Sequence, residues 1–285
     1  MIEMQMKIYV AAISSLLVAA LAAPADAMDC QKASTKLERT ICADPALLKA
    51  ESAMTAAYLK LSRLATDPDI HAVLVNSQRR WVAARESDLA SDDRDAGSAS
   101  QRKILVTVTA DRTKSLSAQV DGKPKFIVDA LKQRASTAAY SGGPFAGYDS
   151  SCSFIPDRQD QTVYSYNCFG SHSVQNGDRV CTESEDFASY SSVEQRAVAN
   201  VVNGKPKVIA TCVLNSSNDS KCPDSDGGDK TAAWNMQPTP EQAQLGEGTR
   251  PRVKLDPEIA GSDDSDWLVR CLTDKSFPAS SAVKR

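Results

Sequence analysis

Two histidines and eight cysteines carry most of this chain's capacity for metal or nucleophilic chemistry. His172 follows Cys168 at a Cys-x₃-His spacing, which would suit half a zinc site. With an acid beside it, the same pair could act as an activated thiol nucleophile. An even cysteine count in an exported chain assigns Cys168 to a disulfide instead. His71 stands beside Ile70 at the start of an amphipathic helix, without a metal-type partner at helical spacing, and reads as a surface histidine. Carboxylate pairs could act on glycans, and the candidates are Glu183, Glu185 and Asp186, and Asp263, Asp264 and Asp266. Both groups read as solvated segments in which nothing raises a pKa. Asp224, Asp226 and Asp229, beside Gly227-Gly228, resemble part of a calcium loop but lack its closing glutamate. No G-x-S-x-G elbow, H-E-x-x-H helix or glycine-rich phosphate loop occurs. The expectation is a non-enzymatic protein with no cofactor and no metal.

A second constellation, Gln78, Arg79, Trp81 and Arg85, asks for a mechanical role. Trp81 reads as a core plug against Tyr58 and Met54. Arg85 lies four residues on, on the same helix face, where its guanidinium can stack on the indole or pair with an acid such as Glu38. That would make an internal polar clasp. The alternative is an exposed Gln-Arg ridge that docks into a partner's groove.

The elements that position these residues can be read from start signals and periodicity. Thr35-Lys36-Leu37-Glu38 has the spacing of a capping box and opens a short helix ending near Cys42. Asp44-Pro45 starts a second helix, with Leu47, Ala50, Met54, Tyr58, Leu61 and Ala65 on one stripe. Asp67-Pro68 starts a third, carrying Ile70, Val73, Leu74, Ser77, Trp81 and Ala84, and the two are expected to pack antiparallel. Residues 87–100 read as an acidic loop. Further helices are expected over 104–120, despite a strand-like Val-Thr-Val-Thr, and over 126–140, with Asp121-Gly122-Lys123-Pro124 between them.

Beyond Pro144 the period changes. Asn176-Gly177 and Asn203-Gly204 each separate two extended runs, a strong hairpin signal. The four runs cover 162–174, 178–187, 193–202 and 205–214, with Pro206 placing the last at a sheet edge. Residues 216–230 and 237–250 read as polar loops. Residues 267–272 read as a closing strand through which Cys271 ties the C-terminus to the sheet.

Bulk properties set the compartment. Lys7 precedes an apolar run, Ile8 to Ala23, then Pro24 and the small-residue site Ala25-Asp26-Ala27, as in a secretory signal peptide cut after Ala27. The run is shorter than the roughly 20 residues of a membrane span. A net charge of −3 argues against a nucleic-acid binder, for which a basic face is expected. The cysteines, Cys30, Cys42, Cys152, Cys168, Cys181, Cys212, Cys222 and Cys271, fall into two neighbourhoods separated by a long gap. The first two are expected to pair, and the other six among themselves.

Residues 30 to about 116 resemble the lysozyme inhibitor LprI family. The resemblance rests on Cys30, Lys32, Ala33, Thr35, Glu38, Ile41, Cys42, Asp44, Pro45, Leu47, Tyr58, Gln78, Arg79, Trp81 and Arg85, in ordered spacing. Arg112 and Leu116 stand where the family's last helix has an arginine and a leucine. Family members carry further cysteines after the Trp-Arg helix; here none occurs before Cys152, which implies that Cys30 and Cys42 bond to each other. The resemblance implies a periplasmic or secreted protein that binds lysozyme and occludes its glycan cleft. The alternative is an envelope module that recognises glycan, peptide or another envelope protein through its second half. The expected class is α+β: signal peptide 1–27, helical domain 28–120, helix and linker 121–145, disulfide-rich antiparallel β domain 146–275, and tail 276–285.

Overall fold

In the computed structural model, residues 28–89, 99–188, 191–215, 222–223, 233–240, 243, 252–259 and 266–278 are described. The expected signal peptide lies outside these residues. So do Asp224, Asp226 and Asp229, Asp263 and Asp264, most of the two polar loops, and the end of the tail.

The capping box opens helix α1 (Lys36–Ala43): Glu38 N–H donates to Thr35 Oγ1 at 3.1 Å, and Thr35 N–H donates to Glu38 Oε2 at 2.9 Å. Asp44 then caps α2 (Pro45–Leu64) by accepting from the N–H groups of Ala46 and Leu47. Asp67 does the same for α3 (Pro68–Leu89) through Asp69 and Ile70. A carboxylate at this position meets orphan backbone donors that the helix itself cannot satisfy.

The helical arrangement differs from a simple hairpin. The closest helix–helix approach is α2 against α4 (Ala99–Ser117), while α3 lies against the sheet. The reason is visible in what each helix buries. Helix α3 buries Ser77 and Arg85, and α4 buries Gln101, Thr109 and Arg112, so polar side chains bridge these helices. The Val-Thr-Val-Thr run is helical because Leu105, Val108 and Leu116 all face the core.

Asp121-Gly122 forms a tight turn between the two-residue strands β1 (Gln119–Val120) and β2 (Lys123–Pro124), and α5 (Lys125–Thr137) follows. A five-stranded antiparallel meander comes next: β3 (Gly147–Pro156), β4 (Tyr164–Asn176), β5 (Arg179–Ala188), β6 (Ser191–Val202) and β7 (Lys205–Asn215). The protein is therefore α+β, as expected. Strand β3 is an addition to the expected four. Asn203 and Gly204 both have positive φ, at 53° and 73°, as a primed two-residue turn requires. In the other long hairpin Asn176 pairs with Arg179, so the turn residues are Gly177 and Asp178, one step later than expected. Pro206 lies on the edge strand β7.

One face of the sheet receives two cores. Phe154 and Tyr164 join the helical core, whereas Val174, Cys181, Val198 and Ala210 pack under α6 (Asp266–Thr273). Residues 267–272 are thus helical and not the expected strand. Trp267, Leu268, Cys271 and Leu272 are the buried set, and their spacing has the period of a helix. All eight cysteines are paired: Cys30–Cys42, Cys152–Cys168 across β3 and β4, Cys181–Cys271 between β5 and α6, and Cys212–Cys222 after β7. Gly170 lets β3 pass close by, since a Cβ there would meet the Asp149 carbonyl oxygen at 2.0 Å. Among the described residues no helix is long and apolar enough to cross a membrane.

Candidate functional site

The residues singled out on α2 and α3 are mostly framework. Glu38 is consumed by its cap, and burial-independent hydrogen bonds from Thr35 and Ser34 lower its pKa. Arg85 pairs with Glu51, not with Glu38; both are buried, and Thr109 Oγ1 lies 3.4 Å from the same guanidinium. Glu51 occupies the inner stripe of α2, directly opposite, whereas Glu38 faces its own helix start. The Arg85 guanidinium also sits 4.6 Å over the Trp81 ring. Trp81 is 1% exposed and meets Phe154 of β3 edge-on at 5.9 Å, so the plug joins helix to sheet. Gln78 accepts from Arg112 Nε at 3.0 Å and donates to Met54 Sδ at 3.6 Å. Leu47 is buried, Tyr58 half-buried, and Asp44 is the cap of α2. Arg79 is exposed, as are Cys30, Lys32 and Pro45 of the same motif, whereas Glu38, Asp44, Leu47, Tyr58, Gln78, Trp81 and Arg85 are not.

A larger polar network joins Arg112 and Ser77, both named from the sequence, to Arg80, Asp256 and Glu258, whose roles it did not reveal. Arg80 grips Asp256 with both terminal nitrogens, at 2.5 and 2.8 Å, and reaches Glu258 at 2.9 Å. Arg112 donates to Glu258 at 2.6 Å and to Ser77 at 2.7 Å. Ser150 Oγ on β3 donates to Asp256 at 2.5 Å, and Gln133 on α5 exchanges hydrogen bonds with the Asp256 backbone. Burial alone would raise the Glu258 carboxyl, but Arg112 and Arg80 outweigh it and hold the pKa low. This network fastens α3, α4, α5 and β3 to the segment 255–259. Only a fixed tertiary arrangement brings residues so distant in sequence together, which is why spacing could not reveal it.

Two clefts border this network and share Tyr166, Cys168 and Glu258 as walls. The first, about 530 Å³, lies between α4, α5 and β4, with Phe126, Tyr166, Asp111, Lys125 and Asp129 on its sides. The second, about 500 Å³, lies on the sheet face between the two cores and holds Glu183, Glu185 and Glu194. Burial, then Glu194, pushes the Glu183 carboxyl up to about 8, against the pull of Arg196. Burial and Glu194 also raise Glu185. The expectation that nothing here would raise a pKa is therefore overturned. Register explains it: Glu185 stands directly opposite Glu194, and Glu183 opposite Arg196, so Glu183 and Glu194 share one guanidinium while Glu185 crowds Glu194. A side-chain hydrogen bond to Glu194 further favours the protonated form of Glu183. The exposed Asp186 contributes nothing to this cluster.

The histidine constellation disperses. Cys168 is bonded to Cys152, leaving no thiol for a metal or a nucleophile. His172 is buried, stacked on Tyr148 at 4.2 Å, and burial followed by Arg252 lowers its pKa to about 4. The approach of Cys152, Cys168 and Glu258 offers no metal site for the same reason. His71 is exposed, with Nε2 3.0 Å from Ser62 Oγ.

Charge is unevenly divided. Residues 28–117 hold 12 acidic and 14 basic side chains, while residues 118–285 hold 22 and 18. The acidic excess therefore belongs to the second half, and not to the helical one.

The family model described as Lysozyme inhibitor LprI matches residues 27–116, about a third of the chain, and the remainder is unassigned. No curated protein and no solved structure matches the chain.

Proposed function

We propose that this is an exported, non-enzymatic binding protein that inhibits a basic lysozyme by covering its glycan cleft. The observation that carries the reading is the match of residues 27–116 to the lysozyme inhibitor family. Its framework residues fasten the helices to each other and to the sheet, so the domain acts as a rigid mount. Four disulfides suit an oxidising compartment. The acidic excess of the second half supplies the field that would draw in a cationic lysozyme. Such steering strengthens encounter at low salt and fades as ions screen it.

Occlusion has a kinetic signature. With a soluble oligosaccharide substrate, the protein raises the apparent KM of lysozyme and leaves kcat unchanged, and the effect declines with added salt. Inhibition that lowers kcat alone contradicts occlusion. A second reading, an envelope module that recognises its target through the sheet, is favoured by the two clefts against β4. Retention of an envelope component by the whole mature chain, without any effect on lysozyme, would select it.

A further inference from the structure

Segment 252–259 forms neither helix nor strand, yet Leu255, Asp256 and Ile259 within it are buried. It walls three clefts. Pro257 and Glu258 line the first, Glu258 and Ile259 the second, and Lys254 and Leu255 a third of about 370 Å³ beside α5 and β4. Its main chain is added to the edge strand β3, where Val253 and Tyr148 exchange backbone hydrogen bonds, each 2.8 Å. At Asp256 the main chain is met by a side chain: Gln133 accepts from its N–H at 3.0 Å and donates to its carbonyl at 2.8 Å. The Asp256 and Glu258 carboxylates lie on two guanidiniums, Arg80 from α3 and Arg112 from α4.

These are the contacts of a bound peptide: main chain on a sheet edge, with side chains read by pockets beside it. Guanidiniums recognise carboxylates by charge and by hydrogen-bond geometry together. The clefts on its flanks leave the segment little packing there. A segment with so few backbone bonds opens at lower free energy than a sheet interior.

We propose that residues 252–259 are an internal ligand, filling a groove that accepts an extended acidic segment of a partner protein. With the internal segment lifted away, the three clefts join into one groove that presents Arg80, Arg112 and the edge of β3. Charge complementarity sets the chemistry of the occupant. It carries two carboxylates spaced as in Asp256-Pro257-Glu258, after an apolar residue in the place of Leu255. A second copy of this chain is the poorer occupant, because its own segment must first leave its own groove. A free segment in a partner has no such cost.

The test uses the mature chain, residues 28–285, and a fluorescein-labelled octapeptide of residues 252–259, Arg-Val-Lys-Leu-Asp-Pro-Glu-Ile. In the double variant Asp256→Asn, Glu258→Gln the internal segment loses both charges. By fluorescence anisotropy this variant binds the octapeptide at least ten-fold tighter than wild type does. An octapeptide with Asn and Gln at the same two positions binds the variant at least ten-fold more weakly. A second measurement needs no variant and decides the matter even where the variant fails to fold. In hydrogen exchange of the wild type, the Val253 amide exchanges at least a hundred-fold faster than those of Cys181 and Val198 in the central strands. Excess charged octapeptide accelerates it further, and the neutral one does not. Protection of Val253 equal to that of the central strands overturns the proposal. So does equal affinity for the two octapeptides, or a folded variant that binds neither. Doubling of the variant's mass with concentration, in place of octapeptide binding, overturns it in favour of a second copy. No arm involves lysozyme, so failure of inhibition leaves each outcome unchanged.

Discussion

Arg85 and Glu51 show how much one pair contributes to the helical half. Both side chains are at most 5% exposed, so removing one partner strands a charge in the core at a cost of about 3–5 kcal/mol. Arg85→Met and Glu51→Leu should each lower stability by that order in denaturant titrations, and the double variant should recover much of the loss. Equal and additive losses would mean that the pair does not act as a unit. The importance of Arg85 was legible from its position relative to Trp81. Its acid was not, since Glu51 and Glu38 are equally plausible partners until α2 and α3 are placed.

Glu183 gives a pH dependence of definite sign. Its unfolded carboxyl titrates near 4.5 and its folded carboxyl near 8, because burial and Glu194 favour the protonated form. The folded state thus binds the proton more tightly. Its contribution is full below about pH 4.5 and is lost as pH rises through 8, with a limiting slope of about 1.4 kcal/mol per pH unit. The groups facing it are Glu194, which raises the pKa and shares the same cation, and Arg196, which lowers it and is itself packed over Trp267 at 5.0 Å. Thermal melts between pH 5.5 and 8 should show wild type losing stability with rising pH and Glu183→Gln losing less. An unchanged slope in the variant would remove Glu183 as the cause.

At the scale of elements, start signals carried the most information. Each Asp-Pro pair caps a helix where it was expected, because a short carboxylate satisfies the first backbone donors and proline needs none. Asp44→Ala should cost about 1 kcal/mol of stability, read from the midpoint of chemical unfolding; no measurable change would deny the cap a role. The period of α6 was misread: its eight residues are too few for pattern alone to separate a short buried helix from a strand. Strand β3 escaped notice because its middle, Asp149-Ser150-Ser151-Cys152-Ser153, is small and polar rather than branched and apolar. Helix packing was the other surprise, with α3 turned to the sheet by Trp81 and Arg80.

For the whole molecule, the α+β division and the separate pairing of Cys30 with Cys42 could be read from composition, period and cysteine gaps. The clefts could not. Their walls come from several elements each, and the electrostatics of the second depend on cross-strand register, as with Glu185 opposite Glu194. The acid excess of residues 118–285 and the fastening of the helical half through Arg80 and Asp256 are the two features on which the proposed division between a mount and a contact surface rests. The clearing of a bacterial cell-wall suspension by a basic lysozyme tests that account most directly. Mature protein in large molar excess should slow the loss of turbidity at low salt and do so less at high salt; clearing at the uninhibited rate under both conditions would contradict it.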